Sequence, residues 1–312
     1  MDDARTWIQK ADMALGDLTT DGGVLVPEQA KLFLKKLIAS STILPKSRVL
    51  TMKNPERRVE KVGFTSARVL AAGTSGSAVG SGSRVAPDLS RDTLTSKLLK
   101  GECDIPKEVF EDNIEGKKFL STVTSLMVER AGLDLDELFL NGYISGGDPF
   151  LGILDGWITK ATSNVYAAGG DLVSKDVFKA MWATVPKAHR KNKKQMVNYV
   201  GSDAESEYAD QIGERGTPAG DRAAIEGMAP KWQGMPIVGV PVMPEDGGSG
   251  HDETTALMGN PKNFIVGFQR KVEVEHEVSK RDGVVYILIS VRTDCTFGEE
   301  EGITKGTGIT YA

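Results

Sequence analysis

From Phe119 onward the apolar residues Phe119, Val123, Leu126, Met127, Leu133 and Leu138 recur with a period of about 3.6 residues, while Lys117, Glu129, Asp134 and Asp136 fall mostly on other faces. The pattern predicts one long helix with a single buried stripe. Asp112 is placed to cap its start, Glu115 lies in the first turn where the helix dipole favours a negative charge, and Asn141-Gly142 supplies a left-handed stop. At about 1.5 Å per residue such a helix is roughly 40 Å long, more than a compact domain of ordinary size needs. Residues 112–157 therefore read as a spine for the rest of the chain, running on into Pro149-Phe150-Leu151-Gly152-Ile153-Leu154-Asp155-Gly156-Trp157.

The segments before the spine alternate helices and hinges, then change character. Residues 4–15 place Trp7, Ile8, Ala11 and Leu15 on one helical face before the turn signal Thr20-Asp21-Gly22-Gly23. A second helix is predicted from Glu28 to about Ala39, with Ala30, Phe33, Leu34 and Leu37 inward and Ser40-Ser41-Thr42 at its end. Residues 47–100 show alternation at Val49, Thr51, Val59, Lys61, Val62 and Phe64, a Gly/Ser-rich tract from Ala71 to Ser83, and an extended stretch from Leu94 to Leu99. Two long strands joined by a tip follow from this pattern. Such a ribbon has no second layer for its apolar face, and isolated hairpins are marginal in water, so it is expected to lie on another molecule. The alternative for Ala71 to Ser83 is a surface loop with no assembly role. After Asp104-Ile105-Pro106, residues Lys107 to Glu111 open the approach to the spine.

Past Trp157 a second region begins. Ser174 opens a helix carrying Val177, Phe178, Met181, Trp182 and Val185 on one face, followed after Pro186 by the basic turn Lys187 to Lys194. Met196 to Val200 reads as a strand and Ser202 to Ile212 as a helix. Trp232 to Pro244 reads as a turn with two short strand pieces broken by prolines, which marks a sheet edge. Phe264–Phe268, Val272–Glu275 and Val284–Arg292 read as strands, with Arg281-Asp282-Gly283 as turn chemistry between the last two, predicting a hairpin packed on the spine helix.

Composition narrows the function. A length of 312 residues allows one large domain or two smaller ones, and a net charge of -5 with mixed signs is not the footprint of a basic nucleic-acid binder. Cys103 and Cys295 lie far apart with no CxxC neighbour, which leaves buried free thiols rather than a disulfide framework or zinc site. No apolar run reaches the roughly 18 residues of a membrane span and the start Met1-Asp2-Asp3-Ala4 is acidic, so the expectation is a soluble protein made in a reducing cytoplasm. Gly116-Lys117-Lys118 fails the phosphate-loop pattern, and Gly80-Ser81-Gly82 and Gly306-Thr307-Gly308 fail the dinucleotide pattern. Neither a Gly-x-Ser-x-Gly elbow nor a His-Glu-x-x-His helix occurs. His189, His251 and His276 read as surface or strand-face histidines, and Glu299-Glu300-Glu301 as a solvated run rather than a looped calcium site. The basic turn reads as solvated and favoured by the C-terminal dipole of the preceding helix, with phosphate contact as the alternative. No catalytic, cofactor-binding or metal-binding residue is assigned, and no cofactor is expected.

The order of the pieces carries more weight than any motif. An arm ending Gly22-Gly23-Val24-Leu25-Val26-Pro27, a long ribbon, Ile105-Pro106-Lys107-Glu108-Val109-Phe110-Glu111-Asp112, a spine ending Phe139-Leu140-Asn141-Gly142, Gly152-Ile153-Leu154, Gly234-Met235-Pro236-Ile237-Val238 and a closing strand pair resemble the major capsid proteins of tailed bacteriophages. The resemblance covers essentially the whole chain. It implies an α+β chain with the Hong Kong 97-like capsid fold: an N-terminal arm at 1–45, an extended E-loop hairpin at 46–99, a peripheral domain with the spine helix at 100–164, an axial domain at 165–260, and return strands of the peripheral domain at 261–312. The function it implies is structural, not enzymatic: a homo-oligomer of pentameric and hexameric capsomers forming the icosahedral head shell around double-stranded DNA packaged without sequence specificity, with portal and decoration proteins as further partners. The location implied is the virion, assembled in the host bacterial cytoplasm. Some members begin with a long helical scaffolding segment, whereas this arm starts about 20 residues before Gly22-Gly23, so a separate scaffolding protein is expected. Others weld their shells through a lysine near the E-loop tip, but residues 69–96 contain none, and Lys61, Lys97 and Lys100 lie lower on the ribbon, so no such cross-link is expected. The alternatives are an encapsulin-type nanocompartment shell around a cargo enzyme and, from another class, a two-domain enzyme using Ala71 to Ser83 as a lid.

Overall fold

A computed structural model describes residues 37–38, 41–64, 70, 75, 80–81, 84–106, 119–214, 229–245, 252–269, 273–279, 281 and 283–311. The helix expected at 4–15, most of that expected at 28–39, the Asp112 cap and His251 lie outside the described residues. In chain order the strands are β1 (Arg48–Thr51), β2 (Glu56–Phe64), β3 (Pro87–Thr95), β4 (Lys97–Pro106), β5 (Val165–Leu172), β6 (Val197–Val200), β7 (Lys231–Trp232), β8 (Met235–Gly239), β9 (Glu253–Gly259), β10 (Phe264–Phe268), β11 (Glu273–Ser279), β12 (Val284–Phe297) and β13 (Thr304–Thr310). The helices are α1 (Phe119–Asn141), α2 (Trp157–Lys160), α3 (Lys175–Thr184) and α4 (Ser202–Gly213).

The first sheet is organised on β12. Its alternation of branched residues buries Val285, Ile287, Ile289 and Val291 in the core shared with Val128, Leu135, Leu138 and Phe139 of α1, while Tyr286, Leu288, Ser290 and Arg292 alternate with them on the other face. One edge of β12 receives β11 and then β10, and the other receives β4 from Pro106 opposite Val284 to Lys97 opposite Thr293. Parallel β1 pairs with β10. The expected hairpin of β11 and β12 forms, and its turn uses Gly283 at φ 67°, a left-handed conformation that glycine adopts without a Cβ penalty.

The second sheet has the order β5-β13-β9-β6-β8-β7, covered by α3 and α4 through Phe178, Met181 and Tyr208, which share a core with Val185 and with Trp232 of β7. Ser174 caps α3 as expected, accepting from the Val177 amide. Pro236 lies in β8, one strand inside a two-residue edge strand, β7. Three boundaries differ from those expected. Residues 304–310 join the second sheet between β5 and β9, not the return strands of the first. Lys97–Leu99 and Arg48–Thr51 belong to the first sheet, which leaves a free ribbon of β2 and β3 only.

The spine helix turns only part of the expected stripe inward: Leu138 is buried and Val123 and Met127 pack against the core, but the rest of the inward face differs. Leu126 is 58% exposed and Leu133 38%, whereas Asp136 is 1% exposed. The buried stripe runs through Thr124, Val128, Leu135 and Phe139 instead. Asp136 is inward because the chain beside it needs an acceptor: Ser41 Oγ donates to one carboxylate oxygen at 2.5 Å and the Thr42 amide to the other at 2.6 Å. Burial raises the Asp136 pKa, only partly offset by these bonds. The helix stop is not left-handed. Gly142 is a glycine because its backbone meets that of residues 154–156: the Gly156 amide donates to Gly142 O at 2.8 Å, and a Cβ at Gly142 would lie 2.3 Å from Leu154 O.

Gly156→Ala is expected to cost about 1–3 kcal/mol of stability, because its Cβ would lie 2.5 Å from Leu140 O and 2.7 Å from Gly142 N, both backbone atoms. Gly147→Ala, in the same connection with open space around it, should stay within about 0.5 kcal/mol of wild type, and denaturant unfolding of the two variants checks the contrast. Asp136→Ala leaves Ser41 Oγ and the Thr42 amide without their acceptor and should cost about 1–3 kcal/mol. The native carboxyl holds its proton to higher pH than the unfolded one, so its contribution falls as pH rises from the ordinary carboxylate range through the raised native value. The stability of wild type relative to Asp136→Asn should accordingly improve on acidification across that window, as read by melting curves at several pH values.

Candidate assembly surfaces

Most described side chains of the ribbon are exposed. β2 and β3 pair from Glu56 opposite Thr95 to Phe64 opposite Pro87, and pair with no other strand among the described residues. Its root is fixed to the body. Leu94 and Met52 pack on Ile265, the Thr95 amide donates to Asp294 at 2.6 Å, and Ser96 Oγ donates to Gln269 at 2.7 Å. Farther out, Lys61 pairs with Asp92 across the strands at 2.5 Å, and Arg58, Glu60, Arg91 and Thr93 are exposed. A rigid root with an uncovered shaft suits an element that completes its packing elsewhere.

The residues considered for chemistry are held in structural roles. Burial lowers the pKa of His276, which lies on β11 with Nε2 3.2 Å from Thr124 Oγ1 of α1. His189 Nδ1 lies 3.3 Å from Glu299 and joins the basic turn to the loop between β12 and β13. Glu300 accepts from the amides of Thr162 and Ser163 at 2.6 and 2.8 Å; burial alone would raise its pKa, but these bonds outweigh it and hold the carboxyl below its usual range. Both cysteines are free; Cys295 is fully buried, and burial pushes its thiol up to about 12, whereas Cys103 is only half-buried. No group of three or more metal-ligating side chains and no helix long and apolar enough to cross a membrane occurs among the described residues.

The basic turn is an ordered 3-10 helix, Lys187–Gln195. Arg190 donates to the carbonyls of Val185 and Ala183 at 2.8 Å each, satisfying the end of α3 as the dipole argument expects. Lys193 Nζ sits 4.9 Å from the Trp182 ring and 4.4 Å from the Trp232 ring, a cation held between two indoles, and its side chain bonds Gln233. Sequence reasoning missed this clamp and the Asp136 seat, since both join segments distant in the chain. Lys187, Lys191 and Lys194 remain exposed.

No family model matches the chain. A curated relative from Bacillus subtilis (strain 168), named "Putative prophage capsid protein YqbE", is 31% identical over 302 residues, covering 96% of each chain. Among solved structures, a chain of the satellite phage P4 procapsid with its size determination protein superimposes with a TM-score of 0.68 at 14% identity, covering 100% of this chain and 99% of that one. The capsid of an empty GTA particle gives 0.62 at 13% identity, over 87% and 90% of the two chains. The holo-SrpI encapsulin of Synechococcus elongatus PCC 7942 gives 0.57 at 12%, over 99% and 96%. These three likenesses speak to fold, whereas the Bacillus relative speaks to family, and the chain belongs to the phage capsid proteins, with the Hong Kong 97-like fold.

Proposed function

We propose that the chain is the major subunit of a tailed-phage head, forming pentameric and hexameric capsomers that close into an icosahedral shell around packaged double-stranded DNA. The observation that carries this reading is the ribbon of β2 and β3, anchored at its root and, among the described residues, joined along its shaft by no third strand. In a shell it lies across a neighbouring subunit, where both its edges and its faces find partners. Burial at about 25 cal/mol per Å² makes each 1,000 Å² of apolar contact worth roughly 25 kcal/mol gross, before ordering costs, so stability becomes collective. The domain division proposed is an N-terminal arm, an E-loop built on the ribbon, a peripheral domain on the first sheet with α1, and an axial domain on the second sheet completed by β13. The partners proposed are further copies of the chain, a scaffolding protein, a portal and decoration proteins, with assembly in the host cytoplasm and residence in the virion.

Purified protein, expressed alone and with a scaffolding candidate from the neighbouring genes, should give closed shells or capsomer rings by negative-stain electron microscopy. DNA inside native particles supports the head reading, a co-purifying enzyme supports an encapsulin-type compartment, and a stable monomer or dimer in every preparation sinks both. Because residues 69–96 contain no lysine, mature particles boiled in denaturant should run as a single monomer band rather than a ladder of covalent multimers.

A further inference from the structure

The first sheet is covered on one face by α1, and among the described residues no helix or second sheet layer covers the other. On that open face the register sets Glu277, Tyr286 and Asp104 in one row and Glu275, Leu288 and Glu102 in the next. All four carboxylates are exposed, and the two central side chains are half-buried between them. In the adjoining rows the same face carries Lys100, Arg292 and Leu98, the last 46% exposed, and with Glu275 and Leu288 these line a shallow depression of about 280 Å³. Four carboxylates beside two half-buried side chains, with both cations on one side of them, give this end of the face a negative sign that favours a cationic protein surface over DNA.

The chain carries such a surface itself. Lys187–Gln195 has five basic residues and no acidic one, and it is rigid because Trp182 and Trp232 clamp Lys193 while Arg190 is tied to the end of α3. That clamping presents Lys187, Lys191 and Lys194 outward. Glu299 and Glu301 flank the turn, both turned toward His189. Through His189 the turn is tied to the loop just beyond β12, whereas the acidic rows lie near the strand's first residues. At about 3.3 Å per residue the two poles are roughly 30–40 Å apart, too far to meet within one copy. Opposite poles at opposite ends of a subunit favour head-to-tail contacts, the kind that close into rings and shells.

We infer that the open face around Tyr286 and Leu288 is the seat for the basic turn of a second copy of this chain, with Lys187, Lys191 and Lys194 facing Glu102, Asp104, Glu275 and Glu277. The inference rests on the shell reading and names a contact within it. Long side chains on both surfaces make each pair weak and salt-sensitive, so the contact acts on encounter rate and register more than on final stability.

Two charge-reversed variants test it: Glu275→Lys with Glu277→Lys, and Lys191→Glu with Lys194→Glu. Each is expected to slow shell assembly of the full chain, followed by light scattering at about 50 mM salt, by roughly tenfold or more. Combining all four changes should restore a rate within about twofold of wild type, and the differences should shrink at about 1 M salt, where screening acts over a few ångströms. In assembled wild-type particles a carbodiimide, which condenses a lysine amine with a carboxylate and takes up the water lost, should link Lys191 or Lys194 to Glu275 or Glu277. Mixed isotope-labelled and unlabelled chains then show by mass spectrometry that the link joins different copies. Circular dichroism of each variant establishes that it is folded. Folded reversals that assemble at the wild-type rate at low salt, or a quadruple variant no faster than the doubles, overturn the pairing while leaving the shell reading intact. Wild type that forms no shell or ring under any condition overturns both.

Discussion

The packing of aromatic rings around Phe264 is the contact on which the two sheets depend. Its ring meets Trp157 of α2 at 5.1 Å, Phe297 at the end of β12 at 5.5 Å and Tyr199 of β6 at 5.6 Å, each near the edge-to-face arrangement that aromatic quadrupoles favour. Phe297 belongs to the first sheet and Tyr199 to the second, so this cluster is the joint between them. Trp157 reaches it because Gly142 and Gly156 let the backbone after α1 fold tightly onto itself, and its indole N–H is satisfied by Thr296 O at 3.2 Å. A subunit that carries a long ribbon needs a stiff middle. The joint supplies that stiffness through close packing, in which small displacements are resisted by many contacts at once.

Around this joint, buried or half-buried carboxylates fix the places where the chain leaves one unit for another. Asp136 accepts the Thr42 amide where the N-terminal segment reaches α1, Asp294 accepts the Thr95 amide where the ribbon returns, and Glu300 accepts the Thr162 amide where the chain passes from α2 toward β5. Each receives a backbone N–H that no strand ladder satisfies. Hydrogen bonds to an ionised acceptor are shorter and stronger than neutral ones, and loss of the acceptor strands a donor, so these junctions resist sliding. Apolar packing sets the shape of each unit, and these acceptors set the angle at which the connecting segments depart.

The features legible in the sequence are those decided by local pattern. Val284 to Arg292 was legible as a strand from its run of β-branched and aromatic residues, and Ser174 announces α3 because a cap is a local bond. The end of the spine at Asn141 was legible too, though its glycine serves close backbone approach rather than a left-handed turn. The inward face of α1 was not, since Leu126 and Leu133 compete with Val128 and Leu135 in any periodic count, and only the sheet beneath decides which set is covered. β13 was illegible for another reason. Gly306 and Gly308 weaken its strand signal, the register shifts beyond Thr307, and it is defined by β5 and β9, more than 40 residues away in sequence. The capsid resemblance succeeded where residue-level reading stopped because it drew on the order of elements, which survives when individual faces and registers do not.

A subunit built this way must remain unassembled long enough to assemble correctly. The outer edges of β4 and β11 pair with no strand among the described residues, and such edges invite indiscriminate pairing. Charge guards them: Lys97, Lys100, Glu102 and Asp104 stand exposed on β4, and Glu275 and Glu277 on β11. The stretches carrying Glu275 and Glu277 or Glu102 and Asp104 repel one another, so edge-to-edge pairing of two copies in many registers would hold carboxylates together. The same charges become attractive only toward a surface of opposite sign held in a fixed geometry, and here the stacking of Lys193 between two tryptophans provides one. A pair worth a fraction of a kcal/mol decides nothing alone. Repeated at every equivalent contact of a closed shell, it discriminates strongly between the one register that satisfies all contacts and those that satisfy few, so weak surface electrostatics suits an assembly that must correct its errors before it closes.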